Sequence, residues 1–82
     1  MPLDDLQRAV GRVLKEWRLR KGYSQGAFII RADLNITQSA FSRIESGESA
    51  ATLGQLAACC DVLKVSVAQL VGEAEQRERF FL

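Results

Sequence analysis

Apolar residues recur at helical spacing in each long segment of this 82-residue chain. Leu6, Val10, Val13, Leu14 and Trp17 fall at i, i+4, i+7, i+8 and i+11, one stripe that predicts a helix over residues 5–21. Gly22 then stands where a left-handed cap is wanted, after a basic last turn that suits the helix dipole. Gly11 lies inside this helix at a cost in stability, which is understandable if a neighbouring helix comes close there.

Four later segments begin with one signature: an apolar residue, a Ser or Thr, and a large apolar residue four positions further on. The sets are Tyr23-Ser24-Phe28, Ile36-Thr37-Phe41, Ala51-Thr52-Leu56 and Val65-Ser66-Leu70. Each hydroxyl can accept a bond from an orphan N–H of the first turn, while the flanking apolar pair forms a hydrophobic staple. The Ala51 staple is weak, because alanine offers little surface. Thr52-x-x-Gln55 and Ser66-x-x-Gln69 also read as capping boxes. These signals place helices at 25–32, 38–45, 53–63 and 67–79, joined by connections short enough to force neighbours to pack together. No strand pattern of consequence competes, and the fold class is all-α: five helices around one core.

The helix over 38–45 has two unlike faces. Ile36, Phe41 and Ile44 look fit for burial, while Thr37, Gln38, Ser39, Ser42 and Arg43 offer hydroxyl, amide and guanidinium groups. Such groups hydrogen-bond base edges and phosphates, and a helix of this kind suits a DNA groove. Gln38 and Ser39 sit in the first turn, the part that enters the major groove in most helical readers. Arg43 suits guanine O6 and N7 or a phosphate, although a bare surface arginine is more often only solvated.

Composition narrows the alternatives. Apolar residues make up 48% of the chain, enough for a small core, and such a short chain gains from dimerisation because it buries only roughly 60–65% of its unfolded surface. Net charge is only +1, but residues 1–47 carry +3 and residues 48–82 carry −2. That asymmetry orients a molecule on a polyanion, with the polar helix in the basic half. Histidine is absent, removing the commonest general base and metal ligand, and no nucleophile–base pair stands out; neither an enzyme nor a cofactor or metal site is expected. Cys59 and Cys60 are neighbours on a helix and diverge by about 100°, so they are expected as free, core-packed thiols. No apolar run reaches membrane-spanning length and the acidic start is unlike a signal peptide, which points to a reduced, cytoplasmic protein without membrane contact.

From Arg18 to Leu70 the chain resembles the helix-turn-helix domain of the lambda-repressor-like (Cro/C1, Xre-type) family. The matching residues are Arg18, Lys21-Gly22, Ser24-Gln25, Thr37-Gln38-Ser39, Phe41 to Glu45, Gly47, Leu53, Leu56 and Val65-Ser66. The resemblance implies a compact five-helix DNA-binding domain spanning residues 1–82, with its helix-turn-helix core at about 24–46. It implies a non-enzymatic transcriptional regulator, a repressor or small controller protein, that binds palindromic double-stranded DNA as a homodimer through recognition helix 38–45. Gln25 is then expected to reach a phosphate and prop the reading helix, and Thr37 to touch phosphate while capping it. Arg18 and Glu45 are expected to form a partly buried ion pair between the first helix and the end of the third.

Two departures from the family pattern stand out. Ser24 and Glu45 lie two positions further apart than is usual, so the turn near 32–36 is longer; its customary glycine is replaced around Asp33, with Asn35 available for a left-handed conformation. The following loop, Glu48-Ser49-Ala50-Ala51, lacks the basic residues that commonly hold phosphate. The C-terminal helix 67–79 is the expected dimerisation element, through Leu70, Val71 and Ala74 with Phe80 and Phe81. Phe80-Phe81-Leu82 either joins that interface, folds back on the first helix or frays. The rival reading is an interaction module or antitoxin that keeps the fold and binds a partner protein through the C-terminal helix.

Overall fold

In this computed structural model, the backbone is described for residues 3–80 and the side chains for residues 4–78. Five helices follow in order: α1 (Leu3–Arg20), α2 (Gln25–Arg31), α3 (Gln38–Ser46), α4 (Leu53–Leu63) and α5 (Val67–Phe80). There is no strand among the described residues. Every predicted boundary lies within two residues of the observed one.

Hydroxyl caps start the later helices. Ser24 Oγ accepts from the Ala27 N–H at 3.1 Å, Thr37 Oγ1 from Ala40 at 3.1 Å, Thr52 Oγ1 from Gln55 at 3.0 Å and Ser66 Oγ from Gln69 at 2.9 Å. At Thr52 the box closes, because Gln55 Oε1 accepts in return from the Thr52 N–H at 2.9 Å. Among the described residues, Ser66 makes only the first half of that arrangement.

The helix ends share a stop. Gly22 (φ 84), Asp33 (φ 54) and Lys64 (φ 62) all adopt the left-handed conformation. After each, the next N–H reaches back five residues: Tyr23 to the Arg18 carbonyl, Leu34 to Ile29 and Val65 to Cys60, all at 3.0–3.1 Å. These are Schellman stops, and Tyr23, Leu34 and Val65 turn inward to pack against the core. The left-handed residue in the lengthened turn is Asp33 itself, not Asn35. A short acidic side chain tolerates this backbone better than a bulky one, and the turn lets Leu34 pack against the core.

The centre of the core is Val13 and Leu14 of α1, Phe28 of α2, Phe41 of α3, Leu63 of α4 and Leu70 of α5, all fully buried. The Phe28 and Phe41 rings meet at 5.7 Å between centroids, and Tyr23 packs edge-on against Phe28 at 5.6 Å. Gly11 is where α1 meets the end of α3: a Cβ there would overlap the Ile44 carbonyl oxygen and stand 2.7 Å from that of Glu45. Beside it, an apolar cavity of about 160 Å³ lies among Leu6, Val10, Gly11, Ile44, Ala51 and Leu56. The weak staple explains it, since Ala51 is too small to fill the space over Leu56.

Helix α5 lies along α1. Trp17 Nε1 donates to Glu73 Oε2 at 3.1 Å, and Arg77 pairs with Glu16, holding that carboxyl below its ordinary range. Leu70 and Ala74 are completely buried in this contact. They were expected at a dimer surface, but the protomer's own core covers them, because the apolar stripe of α5 is the stripe that fits α1. Val71 is half-buried against the same core. Phe81, Leu82 and the side chain of Phe80 lie outside the described residues. Cys59 and Cys60 are both free and 2% exposed. Burial, reinforced by Cys60 and Glu45, pushes the Cys59 thiol up to about 12. Among the described residues no single helix is long and apolar enough to cross a membrane.

Candidate nucleic-acid interface

The two faces of α3 separate cleanly. Phe41, Ile44 and Glu45 are buried, while Gln38, Ser39, Ser42 and Arg43 are exposed, as is the cap residue Thr37. The period of the helix does this: positions 41, 44 and 45 share one side, and 38, 39, 42 and 43 the other. Gly47, left-handed at φ 85, ends the helix. The Arg43 carbonyl accepts from the Ser49 N–H at 3.2 Å and from Ser46 Oγ at 3.1 Å, so the backbone at the end of the helix is tied down. Among the described residues the Arg43 guanidinium makes no hydrogen bond or ion pair, and it stands open to a ligand.

A chain of polar contacts runs from the core to this face. Arg18 Nε donates to Glu45 Oε2 at 2.7 Å and Arg18 Nη2 to Glu45 Oε1 at 3.1 Å. The third guanidinium nitrogen, Nη1, donates to the Tyr23 carbonyl at 2.7 Å. Gln25 Nε2 donates to Glu45 Oε1 at 2.8 Å, and Gln25 Oε1 accepts from Gln38 Nε2 at 3.4 Å. Arg18 and Glu45 side chains are 5% and 2% exposed, yet no described buried side-chain polar atom is left without a partner. Helices α1, α2 and α3 are thus fastened by one network whose outer end is the first turn of α3. Gln25 is a strut in it, with one amide hydrogen left over for an outside acceptor.

Sequence patterning missed one anchor of this surface. Gln7 Nε2 donates to the Gly47 carbonyl at 2.8 Å, which ties α1 to the loop after α3 across forty positions. Gly47 itself has no room for a side chain, since a Cβ would stand 2.7 Å from the Arg8 Cα. The only available hint was a glutamine on the flank of an apolar stripe. Glu48 is exposed in that loop, and no Lys or Arg lies between it and Thr52.

A family model described as a helix-turn-helix domain matches residues 9–71. The chain belongs to the helix-turn-helix family. Within that frame α2 and α3 are the two helices, and the stretch 32–37 is the turn. The fold is also that of a solved structure, the clp gene regulator ClgR from Corynebacterium glutamicum. The two are 26% identical, with a TM-score of 0.84, over 96% of this chain and 80% of that one. No curated protein matches the chain. The helix-turn-helix match begins at Ala9 and ends at Val71, so the Trp17–Glu73 and Glu16–Arg77 contacts join its first helix to a segment beyond the matched region.

Proposed function

We propose that this helix-turn-helix protein is a sequence-specific DNA-binding transcriptional regulator that carries α3 into the major groove and acts as a symmetric dimer on palindromic operators. The observation that carries the reading is the exposed set Gln38, Ser39, Ser42 and Arg43 on a helix whose opposite face is locked into the core. The gene-regulator role of ClgR, a neighbour in fold, supports it.

The chemistry follows from the free groups. Gln38 gives one amide hydrogen to Gln25, leaving its other N–H and its Oε1 for the N7 and N6 edge of adenine. Arg43 presents a fork suited to guanine O6 and N7, with a discrimination of about 1–3 kcal/mol when both bonds form. Ser39 and Ser42 add tolerant hydroxyl contacts at either side. Thr37 Oγ1 already accepts from Ala40, and its hydroxyl hydrogen is left to donate to a phosphate, as is the spare amide hydrogen of Gln25. Helix α3 belongs to the half of the chain that carries +3, which suits a polyanion. In a dimer the two copies of α3 occupy successive grooves about 34 Å apart, and the bound dimer regulates by occluding or recruiting polymerase.

Selection from a random DNA pool, followed by a salt titration on the enriched sequence, tests the reading. Enrichment of a palindrome with half-sites one helical turn apart, and an affinity that falls as salt rises, are expected. Arg43→Ala should weaken binding to the enriched sequence by roughly 5- to 150-fold, the equivalent of the discrimination above. A salt slope near zero with no enriched sequence overturns it.

A further inference from the structure

Three large apolar side chains are exposed among the described residues: Leu19 at 56%, Ile30 at 82% and Leu53 at 75%. Leu19 sits on a basic face of α1 with Arg12 and Lys15, and Ile30 stands beside Arg31 and Asp33 at the end of α2. Such isolated residues are ordinary. Leu53 is different. Its neighbours on the outer side of α4 are Gly54 and Ala57, both exposed, and Ala50 is exposed just before the helix. Helix α4 is apolar nearly all round (LGQLAACCDVL) but is covered on one side only: Leu56, Cys59, Cys60 and Leu63 are buried. A helix of that composition is ordinarily enclosed.

The geometry points to the outer face of α4, Leu53-Gly54-Ala57-Asp61, as the surface on which a second copy of this chain docks, with the two α4 helices antiparallel across a twofold axis at Ala57. The charges fit that arrangement and not a parallel one. With Ala57 on the axis, residues four before and four after it come opposite each other, so each Leu53 lies against the second copy's Asp61. Asp61 is exposed and is the only acidic residue on the helix. The antiparallel pairing sets its carboxylate beside the N-terminal end of the other α4, where first-turn N–H groups carry partial positive charge. Lys64, also exposed, comes to the side of the other copy's α3–α4 loop, where Glu48 is exposed. A parallel pairing instead sets Asp61 against Asp61 and Lys64 against Lys64. A Cβ built at Gly54 would meet only Thr52 Oγ1, at 4.0 Å, so nothing in the protomer occupies the approach. Small residues at 54 and 57 allow the axes to come close, at the short end of the 8–10 Å range for packed helices.

This surface rests on the reading of the chain as a dimer-forming regulator, and it relocates the interface from α5, whose Leu70 and Ala74 the protomer itself covers. The experiment is disulfide trapping in the absence of DNA. Ala57→Cys places a thiol on the axis; the two native thiols are buried and do not compete. Mild oxidation should give a covalent dimer of Ala57→Cys, while Ala68→Cys, on an exposed position of α5, stays monomeric. Adding Leu53→Glu to Ala57→Cys should reduce trapping at least tenfold, with the circular dichroism of the helices unchanged. No trapping at 57, or equal trapping at 57 and 68, overturns the inference. Because no DNA is present, that result is separable from failure of the regulator reading: palindromes still enriched in the selection would leave the regulator standing and this interface wrong.

Discussion

Arg18 and Glu45 meet edge to edge, Nε to Oε2 at 2.7 Å and Nη2 to Oε1 at 3.1 Å, with neither side chain more than 5% exposed. A planar guanidinium can satisfy both carboxylate oxygens at once, which is why an arginine suits a dry site between helices. The pair is costly to break from one side. Glu45→Ala strands the guanidinium of Arg18 and removes the acceptor of Gln25, and is expected to destabilise the domain by about 3–5 kcal/mol. Urea unfolding measures this; a midpoint within error of the wild type would show that the site admits water and the pair is not structural.

Gln25 occupies the joint between that buried pair and the exposed face. Its Nε2 donates to Glu45 Oε1 and its Oε1 accepts from Gln38. Gln25→Ala should therefore separate two effects. Stability falls modestly, by about 1–3 kcal/mol for a lost hydrogen bond to a charged group. If Gln38 reads a base, its amide loses the contact that orients it, and discrimination at one operator position relaxes while binding elsewhere along the site is kept. Competition binding with operators substituted one base at a time reads this out. A uniform loss at all positions would mean that Gln25 only grips phosphate.

How far the chain declares its structure depends on how far apart the interacting residues lie. Helix starts are legible because a cap and its staple fall within five residues, as at Ser24 and Thr37. The stops at Asp33 and Lys64 are harder to read. Nothing in a lysine announces a left-handed backbone and an aspartate merely permits one; the demand comes from Leu34 and Val65 having to enter the core. The two-faced character of α3 follows from period alone. The bonds from Gln25 to Glu45 and from Gln7 to Gly47 do not, because they span 20 and 40 positions. The stripe Leu70, Val71, Ala74 is plain in the sequence, but periodicity says only that it is buried, not that α1 rather than a second chain buries it.

Gly11 shows how strictly α1 and α3 are spaced. In an unpacked helix Gly→Ala gains roughly 1 kcal/mol. Here the added methyl would overlap the Ile44 carbonyl oxygen and crowd that of Glu45, both backbone atoms that cannot swing aside. Gly11→Ala is expected to destabilise by about 1–3 kcal/mol net, with the repacking pushing the end of α3 outward. Thermal unfolding gives the sign, and a stabilised variant would show that the two helices are not in close contact.

The non-glycine stops offer the opposite change. Asp33 and Lys64 hold φ of 54 and 62, a conformation glycine adopts without strain. Both are exposed, so little packing is lost on substitution. Lys64→Gly is expected to stabilise by about 0.5–1 kcal/mol, and Asp33→Gly by somewhat less, since a short acidic side chain already tolerates the region. Chemical denaturation of the two single variants and their double should show roughly additive gains, because the stops belong to different helices. Destabilisation by Lys64→Gly would mean that its side chain contributes more than its backbone costs.

The buried thiols predict a fold that weakens in alkali. Burial, with Cys60 and Glu45 adding to it, raises Cys59 from its ordinary 9.0 to about 12. Between those values the unfolded chain releases the proton and the folded chain keeps it, so the unfolded state binds fewer protons and stability falls as pH rises. Below the unfolded value both states are protonated and the contribution is complete. At 1.36 kcal/mol per pH unit, the loss approaches about 4 kcal/mol once pH passes the folded value. Cys60, raised by its own burial, adds to it in the same direction. Cys59→Ala removes this linkage while leaving a small cavity, so the variant should be less stable than the wild type at neutral pH. That gap should narrow steadily as the pH of a urea titration is raised above about 9. Iodoacetamide should label neither thiol in the folded protein and both after unfolding, because a neutral, buried thiol is a poor nucleophile. Parallel stability curves for the two proteins from neutral to strongly alkaline pH would show that Cys59 ionises as readily folded as unfolded.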